Sequence, residues 1–313
     1  MKNEKIVLSY SRVRALLDCE QKFKFSYVDR LEKIQWKQEY LMGNMFQLGI
    51  FLLMSGKKDV EKIVKKEFEN QVKDLRKTFS LAIGDEQKLV EMQIMLIGMI
   101  RGYAVKYVKD LQIEKHIKNE HDVIYSFNDI ADIRIKMDNI IAVKDKWCLH
   151  EGKAWKSLNP NIVDSVKNSL QIAIYFHIYN SFYTTKKIVD QLGNTIKAKP
   201  FSNIIFDAVQ KPSIRKKVGE VYKEYLKRLE GYYAGSDSNT KFYKEFIQPA
   251  ISKDDVFRTL SISSKRMLRL YEGKRPLKSF NSCNWCDYYR LCFEGKNKKT
   301  IADYRSKKEE IEK

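Results

Sequence analysis

The chain has 313 residues, 43% of them hydrophobic, which is enough to bury a sizeable core as one large domain or two modest ones, without disulfide staples. Its 59 Lys and Arg against 40 Asp and Glu leave a formal charge of +19, pointing to a polyanionic partner, nucleic acid first and an anionic membrane surface second. The longest apolar stretch, MQIMLIGMIRGYAV, is broken by Arg101 before it reaches spanning length, and the N-terminus has no signal-peptide core, so a soluble cytoplasmic protein is expected. In that reducing compartment five cysteines do not make a disulfide framework, and clustered ones point to metal binding.

In chain order, SYSRVRALLDCEQKFKFSYV offers Ser9 or Ser11 as a helix cap and then Val13, Leu16 and Leu17 at helical spacing, with Cys19 on or just after that helix. Apolar positions at three- and four-residue steps predict helices over 36–55, 58–79 and 86–111. From about residue 120 the texture changes: HDVIYSF, IRIKMDNIIAV and KWCLHEGKAW are rich in β-branched and aromatic residues and are separated by turn residues, which predicts an antiparallel set of strands. IVDSVKNSLQIAIYFHIYNSFY returns to a helical period, FSNIIFDAV reads as one more buried strand, and helices are expected over 214–234 and 252–273. No internal repeat and no Pro/Gly-rich linker marks a boundary. The expected organisation is a single domain: a helical portion over 1–112, a core over 113–210, a helical and cysteine-bearing segment over 211–295 and a charged tail over 296–313, the tail a loose helix or disordered.

The stretch MDNIIAVKDKWCLHEGKAW sets Asp138 on one strand and Glu151 and Lys153 on the next, across a turn near Lys144–Lys146. Residues two apart on a strand share a face, so the hairpin brings two carboxylates and an ammonium together. Such a trio suits metal-assisted phosphodiester hydrolysis, with hard oxygens for Mg²⁺ or Mn²⁺ and a lysine to orient water beside the phosphate. The E-x-K spacing alone selects nothing, since it recurs at Glu20/Lys22, Glu86/Lys88, Glu272/Lys274 and Glu294/Lys296. Glu151 stands apart because it follows a strand–turn–strand pattern with an upstream Asp, and because it precedes a helix with Gln171 and Tyr175 four apart on one face. The competing reading makes the acids solvated hairpin charges and Tyr175 ordinary core.

FNSCNWCDYYRLCFEG packs Cys283, Cys286 and Cys292 in a C-x₂-C-x₅-C pattern and leaves a fourth ligand to be found. With Cys19 far upstream and the acidic trio, this pattern resembles the PD-(D/E)XK nuclease superfamily, in its RecB-like branch that includes the CRISPR-associated Fe-S exonucleases and the nuclease domain of AddB. The resemblance implies a restriction-endonuclease-like α/β fold, with a small mixed sheet flanked by helices. It makes Cys19, Cys283, Cys286 and Cys292 the ligands of a 4Fe-4S cluster, although four thiolates also suit tetrahedral zinc. It makes Asp138 and Glu151 the ligands of Mg²⁺ or Mn²⁺, Gly152 the donor of a backbone carbonyl to that ion, and Lys153 the catalytic lysine. Gln171 and Tyr175 match a Q-x-x-x-Y motif that positions DNA near the site. The branch's G-x-x-x-H motif aligns with GNMFQ, so Gly43 is kept while Gln47 stands where a histidine ligand is expected, a weaker candidate ligand. Lys136 stands where a glycine is usual.

The resemblance therefore implies a metal-dependent DNA exonuclease acting on single-stranded DNA or DNA ends, in recombination, phage DNA processing or CRISPR spacer acquisition, with proteins of recombination or CRISPR adaptation as partners. Arg12, Arg14, Lys22, Lys24, Lys265, Arg266, Arg269, Lys274 and Arg275, joined to Trp285, Tyr288 and Tyr289, are expected to form a groove for phosphates and unstacked bases. Cys148 reads as a small buried hydrophobe. His116, His121, His150 and His177 show no ligand spacing, and His150 should face away from Glu151. Two other classes stay open: a non-catalytic nucleic-acid-binding protein with a structural zinc or Fe-S site, and a redox protein, against which stands the lack of any flavin or nicotinamide fingerprint.

Overall fold

The hydroxyl of Ser9 accepts the backbone N–H of Arg12 and so starts α1 (Tyr10–Asp18), directly after strand β1 (Ile6–Leu8). The structure, a computed structural model, describes residues 5–34, 38–78, 83–107, 114–158, 161–183, 187–190, 193–234, 241–280 and 283–306. After α1 come α2 (Glu20–Phe23), a π-helical turn (Lys24–Val28) and β2 (Leu31–Lys33). Three long helices follow, α3 (Gln38–Met54), α4 (Val60–Thr78) and α5 (Ile83–Lys106), then strands β3 (Glu114–Ser126), β4 (Ala131–Val143) and β5 (Lys146–Trp155). Next are α6 (Ile162–Lys167), α7 (Leu170–Phe182), the small β6 (Lys187–Val189) and β7 (Thr195–Lys197) hairpin, β8 (Phe201–Gln210), α8 (Tyr222–Ala234) and β9 (Phe242–Ile247). The chain continues through α9 (Lys253–Tyr271), α10 (Tyr289–Phe293), α11 (Lys298–Ile301) and β10 (Tyr304–Ser306).

The fold is mixed α/β, with a central mixed sheet flanked by helices. The chain divides into two compact units, one from residues 1–35, 122–135 and 251–313, the other from 36–121 and 136–250. In the first, β1 runs parallel to the start of β4, with Ile6 opposite Ala131 and Leu8 opposite Ile133. Here β4 alternates as a half-exposed strand should: Ile133 and Ile135 are buried, while Arg134 points outward and grips Asp122 with two nitrogens. A second, two-stranded sheet pairs β2 with β10 antiparallel, and beside it Phe25, Tyr288, Leu291 and Tyr304 form a small aromatic core.

In the second unit the rest of β4 pairs antiparallel with β5, β5 pairs parallel with β8, and β8 pairs antiparallel with β9. Lys144 and Asp145 both take positive φ, 49° and 64°, the backbone of a tight hairpin turn that fixes the β4–β5 register. Ile141, Cys148, Ile205 and Val209 bring one sheet face into a core with α3 and α5, where Met45, Phe46, Leu96 and Met99 are buried. The nearly all-round apolar sequence of α3 follows from that position. Gly102 lets α8 approach α5, since a Cβ there would stand 2.6 Å from the Cβ of Tyr233.

Several sequence expectations need correcting. The helix expected from 214 starts only at Tyr222, because the left-handed Gly219 breaks the period. The loop is instead tied back by Tyr225, which donates to the Ile214 carbonyl, and by Arg228, which donates to the Arg215 carbonyl. The helix expected over 162–183 is interrupted at Asn168 and Ser169. Strands β1, β2, β6, β7, β9 and β10 were not anticipated, and β3 begins at Glu114 rather than near 121. The expected helix ends at 36–37, 79 and 108–111, and the tail beyond 306, lie outside the described residues. No helix among the described residues is long and apolar enough to cross a membrane.

Candidate active site and cysteine pocket

The β4–β5 ladder sets Asn139 opposite His150, so one step further along the antiparallel pair Asp138 comes opposite Glu151. Glu151 is 1% exposed, and the Lys153 ammonium, two residues on along the same face, lies in ion-pair contact with its Oε1. Neither Glu151 oxygen accepts an aligned hydrogen bond among the described residues. A carboxylate buried in that state is costly, and one lysine at 34% exposure only partly offsets it. Asp138 responds to the same surroundings: burial first, and then the nearby Glu151 charge, push its pKa up to about 7 against the pull of Lys153.

Gln47, on α3, closes the group. Its amide nitrogen donates to Asp138 Oδ2 at 2.6 Å and to the Gly152 carbonyl at 3.1 Å. Asp138, Glu151, Gly152, Lys153 and Gln47 are thus gathered at one place. Lys136 is exposed, 3.6 Å from the carboxylate of Glu120. Gln171 and Tyr175 meet each other on α7, the Gln171 amide donating to the Tyr175 hydroxyl at 3.4 Å rather than to the acids. That helix is fastened to β8 by Asn180, whose side chain donates to the Phe201 carbonyl at 3.0 Å and accepts the Phe201 N–H at 2.7 Å.

Sequence reasoning missed a polar network on the other face of β5. His150 Nε2 lies 3.4 Å from Asp207 Oδ2, and the Tyr103 hydroxyl donates to the same oxygen; all three residues are fully buried. Asp207 stands beside Gly152 in the parallel β5–β8 register. The available signal was the lone acid in the apolar run IIFDAV, which a buried strand tolerates only with partners.

In the other unit, Cys19, Cys283, Cys286 and Cys292 line one pocket together with Phe25, Phe280 and Phe293. The Ser279 N–H donates to Cys19 Sγ at 3.4 Å, and the Cys283 thiol donates to the Ser279 carbonyl at 3.5 Å. Burial, reinforced by Cys19 and Cys283, pushes the Cys286 thiol up, while the Tyr288 N–H and Lys22 pull it down. No disulfide joins any of the five cysteines, and Cys148 is buried as expected. Among the described residues no three His, Cys, Asp or Glu side chains are drawn tightly enough to hold a single metal ion.

Next to Cys19, Glu20 is 2% exposed and saturated with donors: Arg266 at 2.9 Å, the Leu277 N–H at 2.8 Å and Arg269. Burial alone would raise its pKa, but these donors outweigh it and hold the carboxyl below its ordinary value. The basic groove expected here is correspondingly reduced. Arg266 and Arg269 are engaged by Glu20, Arg14 and Lys22 by Asp18, and Lys24 by Asp29. Tyr288 is no stacking platform either, because its ring is buried against Phe25 and Tyr304 and its hydroxyl donates to the Leu31 carbonyl at 2.7 Å. Trp285, between two of the cysteines, is 92% exposed, and Tyr289 is also exposed.

A family model described as PD-(D/E)XK nuclease superfamily matches residues 7–293. Among solved structures, that of SSO0001 is similar at 12% identity and a TM-score of 0.33, covering 68% of this chain and 78% of that one, too distant to transfer any residue's role. No curated protein matches.

Proposed function

Because this chain belongs to the PD-(D/E)XK nuclease superfamily, we propose that it is a metal-dependent DNA exonuclease whose site is built on Asp138, Glu151, Gly152 and Lys153. The observation that carries this reading is the buried Glu151 carboxylate with no aligned donor on either oxygen, beside an Asp138 oxygen and a Gly152 carbonyl that converge on one atom. Members of the superfamily usually use Mg²⁺ or Mn²⁺, and a hard cation is what three such oxygens fit. When bound, the ion supplies charge to a scissile phosphate and acidity to a water beside it. Glu151 and Asp138 hold the negative side of the site, and burial keeps them out of bulk water. Lys153, partly exposed, keeps its ammonium against Glu151 and orients water and phosphate at the open side. Gln171 and Tyr175 contribute to positioning DNA.

The four cysteines that share a pocket support a structural 4Fe-4S cluster, with the Ser279 N–H donating to one sulfur. The formal charge of +19 supports DNA as the substrate, and the exposed Trp285 supports unstacked, single-stranded segments or ends. Recombination, phage DNA processing and CRISPR spacer acquisition all supply such ends, and the protein would act in the cytoplasm.

The test is anaerobic purification with an absorption spectrum and iron and sulfide assays, then incubation with end-labelled single-stranded DNA and Mn²⁺. The expected result is nucleotide release by the wild type and a loss of ~10²–10⁴-fold in Lys153→Ala. DNA bound tightly but left intact by the wild type would make the protein a binding module instead, and equal degradation by both proteins would remove Lys153 from the site.

A further inference from the structure

Gln47 is engaged in an unusual way for a residue at a cation site. Its amide nitrogen donates to Asp138 Oδ2 at 2.6 Å and to the Gly152 carbonyl at 3.1 Å, the two oxygens that the proposed ion shares with Glu151. A carbonyl oxygen can only accept, so the end of the amide facing Gly152 is the NH₂ group whatever the state of Asp138. That nitrogen has no lone pair to offer a metal. A divalent ion taken up by these two oxygens would draw on the same lone pairs that the NH₂ group now engages.

We propose that Gln47 is a latch on the cation site: its amide nitrogen engages the two oxygens that the divalent ion would use, so the ion binds in competition with it. The proposal rests on the nuclease reading above and adds a regulatory element to it. The amide N–H groups supply partial positive charge to the acidic pair and tie Asp138 to Gly152. Binding then costs the ion two hydrogen bonds, one of them to a carboxylate, which are worth more than neutral ones. A site of this kind stays closed at low divalent concentration and fills over a higher range than one with an open coordination position.

Calorimetric titration of the metal-free full-length protein with Mn²⁺ tests this. Gln47→Met, of similar size but without the donor, and Gln47→Ala are compared with the wild type and with Asp138→Asn. The expected result is binding at least ~10-fold tighter in both Gln47 variants, the size expected for a lost hydrogen bond to a charged group. Their metal-free melting temperatures should fall below that of the wild type. Equal or weaker Mn²⁺ binding in Gln47→Met would overturn the latch and leave Gln47 an ordinary ligand or bystander. Should Asp138→Asn bind Mn²⁺ as the wild type does, or no protein bind it at all, the cation site itself fails, which is a different outcome from loss of the latch alone.

Discussion

Two glutamates, one in each unit, are buried to nearly the same degree and treated in opposite ways. Glu20, at 2% exposure, receives two arginines and a backbone N–H, while Glu151, at 1%, has a single lysine and no aligned donor on either oxygen. A carboxylate whose oxygens are all satisfied holds a structure together. One left short is costly within the chain alone, and it is the one to which the proposed cation is assigned. The same E-x-K spacing occurs at both places, so the difference lies in what folding brings to each acid and not in the local sequence.

The sharpest way to break this contrast is to neutralise each acid without changing its size. Glu151→Gln should lose at least ~10³-fold of DNA degradation in a steady-state assay while the metal-free protein melts no lower than the wild type, since a buried charge that Lys153 only partly offsets is removed. Glu20→Gln should do the reverse, costing about 2–3 kcal/mol in denaturant unfolding, a figure moderated by the partial exposure of Arg266 and Arg269. If Glu20→Gln instead left stability unchanged and removed activity, the two acids would have been assigned the wrong way round.

Titration sharpens the comparison further. Asp138, raised to about 7 beside Glu151, favours its protonated form in the fold, so its contribution to stability is complete below its ordinary value and lost as pH rises through 7. The metal-free melting temperature should therefore fall between pH 5 and 8, and Asp138→Asn should flatten that slope. Glu20 has the opposite sign: its lowered pKa gives stability that is present above the ordinary carboxyl range and lost as pH falls through the lowered value. Acid unfolding should accordingly be less steep in Glu20→Gln. The smallest effect expected is that of Cys148→Ala, about 1 kcal/mol for a small buried side chain, with no change in iron content.

Much of this was legible in the sequence, for identifiable reasons. The hairpin from Asp138 to Lys153 announces itself through alternation and a turn at Lys144–Asp145, and α9 through its helical period. The short edge strands β1 and β9 were not legible, because three to six residues carry too little periodicity to separate a strand from a loop. The donors of Glu20 were out of reach for another reason: Arg266 is 246 residues away, and only the folded chain brings it close. The basic residues counted as a DNA groove illustrate the same gap, since sequence gives charges but not the carboxylates that already engage them. Gln47 was recognisable as a departure, whereas the direction of its amide was not.

The distance along the chain between Glu20 and Arg266 also fixes the order in which the protein can mature. During synthesis at ~5–20 residues per second, the segment bearing Cys19 and Glu20 is made roughly 10–50 s before its arginines exist. The unit it belongs to draws on residues 1–35, 122–135 and 251–313, and so closes last, after all of 36–250 has emerged. The cluster proposed for the four cysteines would therefore be inserted late, long after the first of them has been made, which makes a chaperone or scaffold that shields Cys19 until then worth seeking.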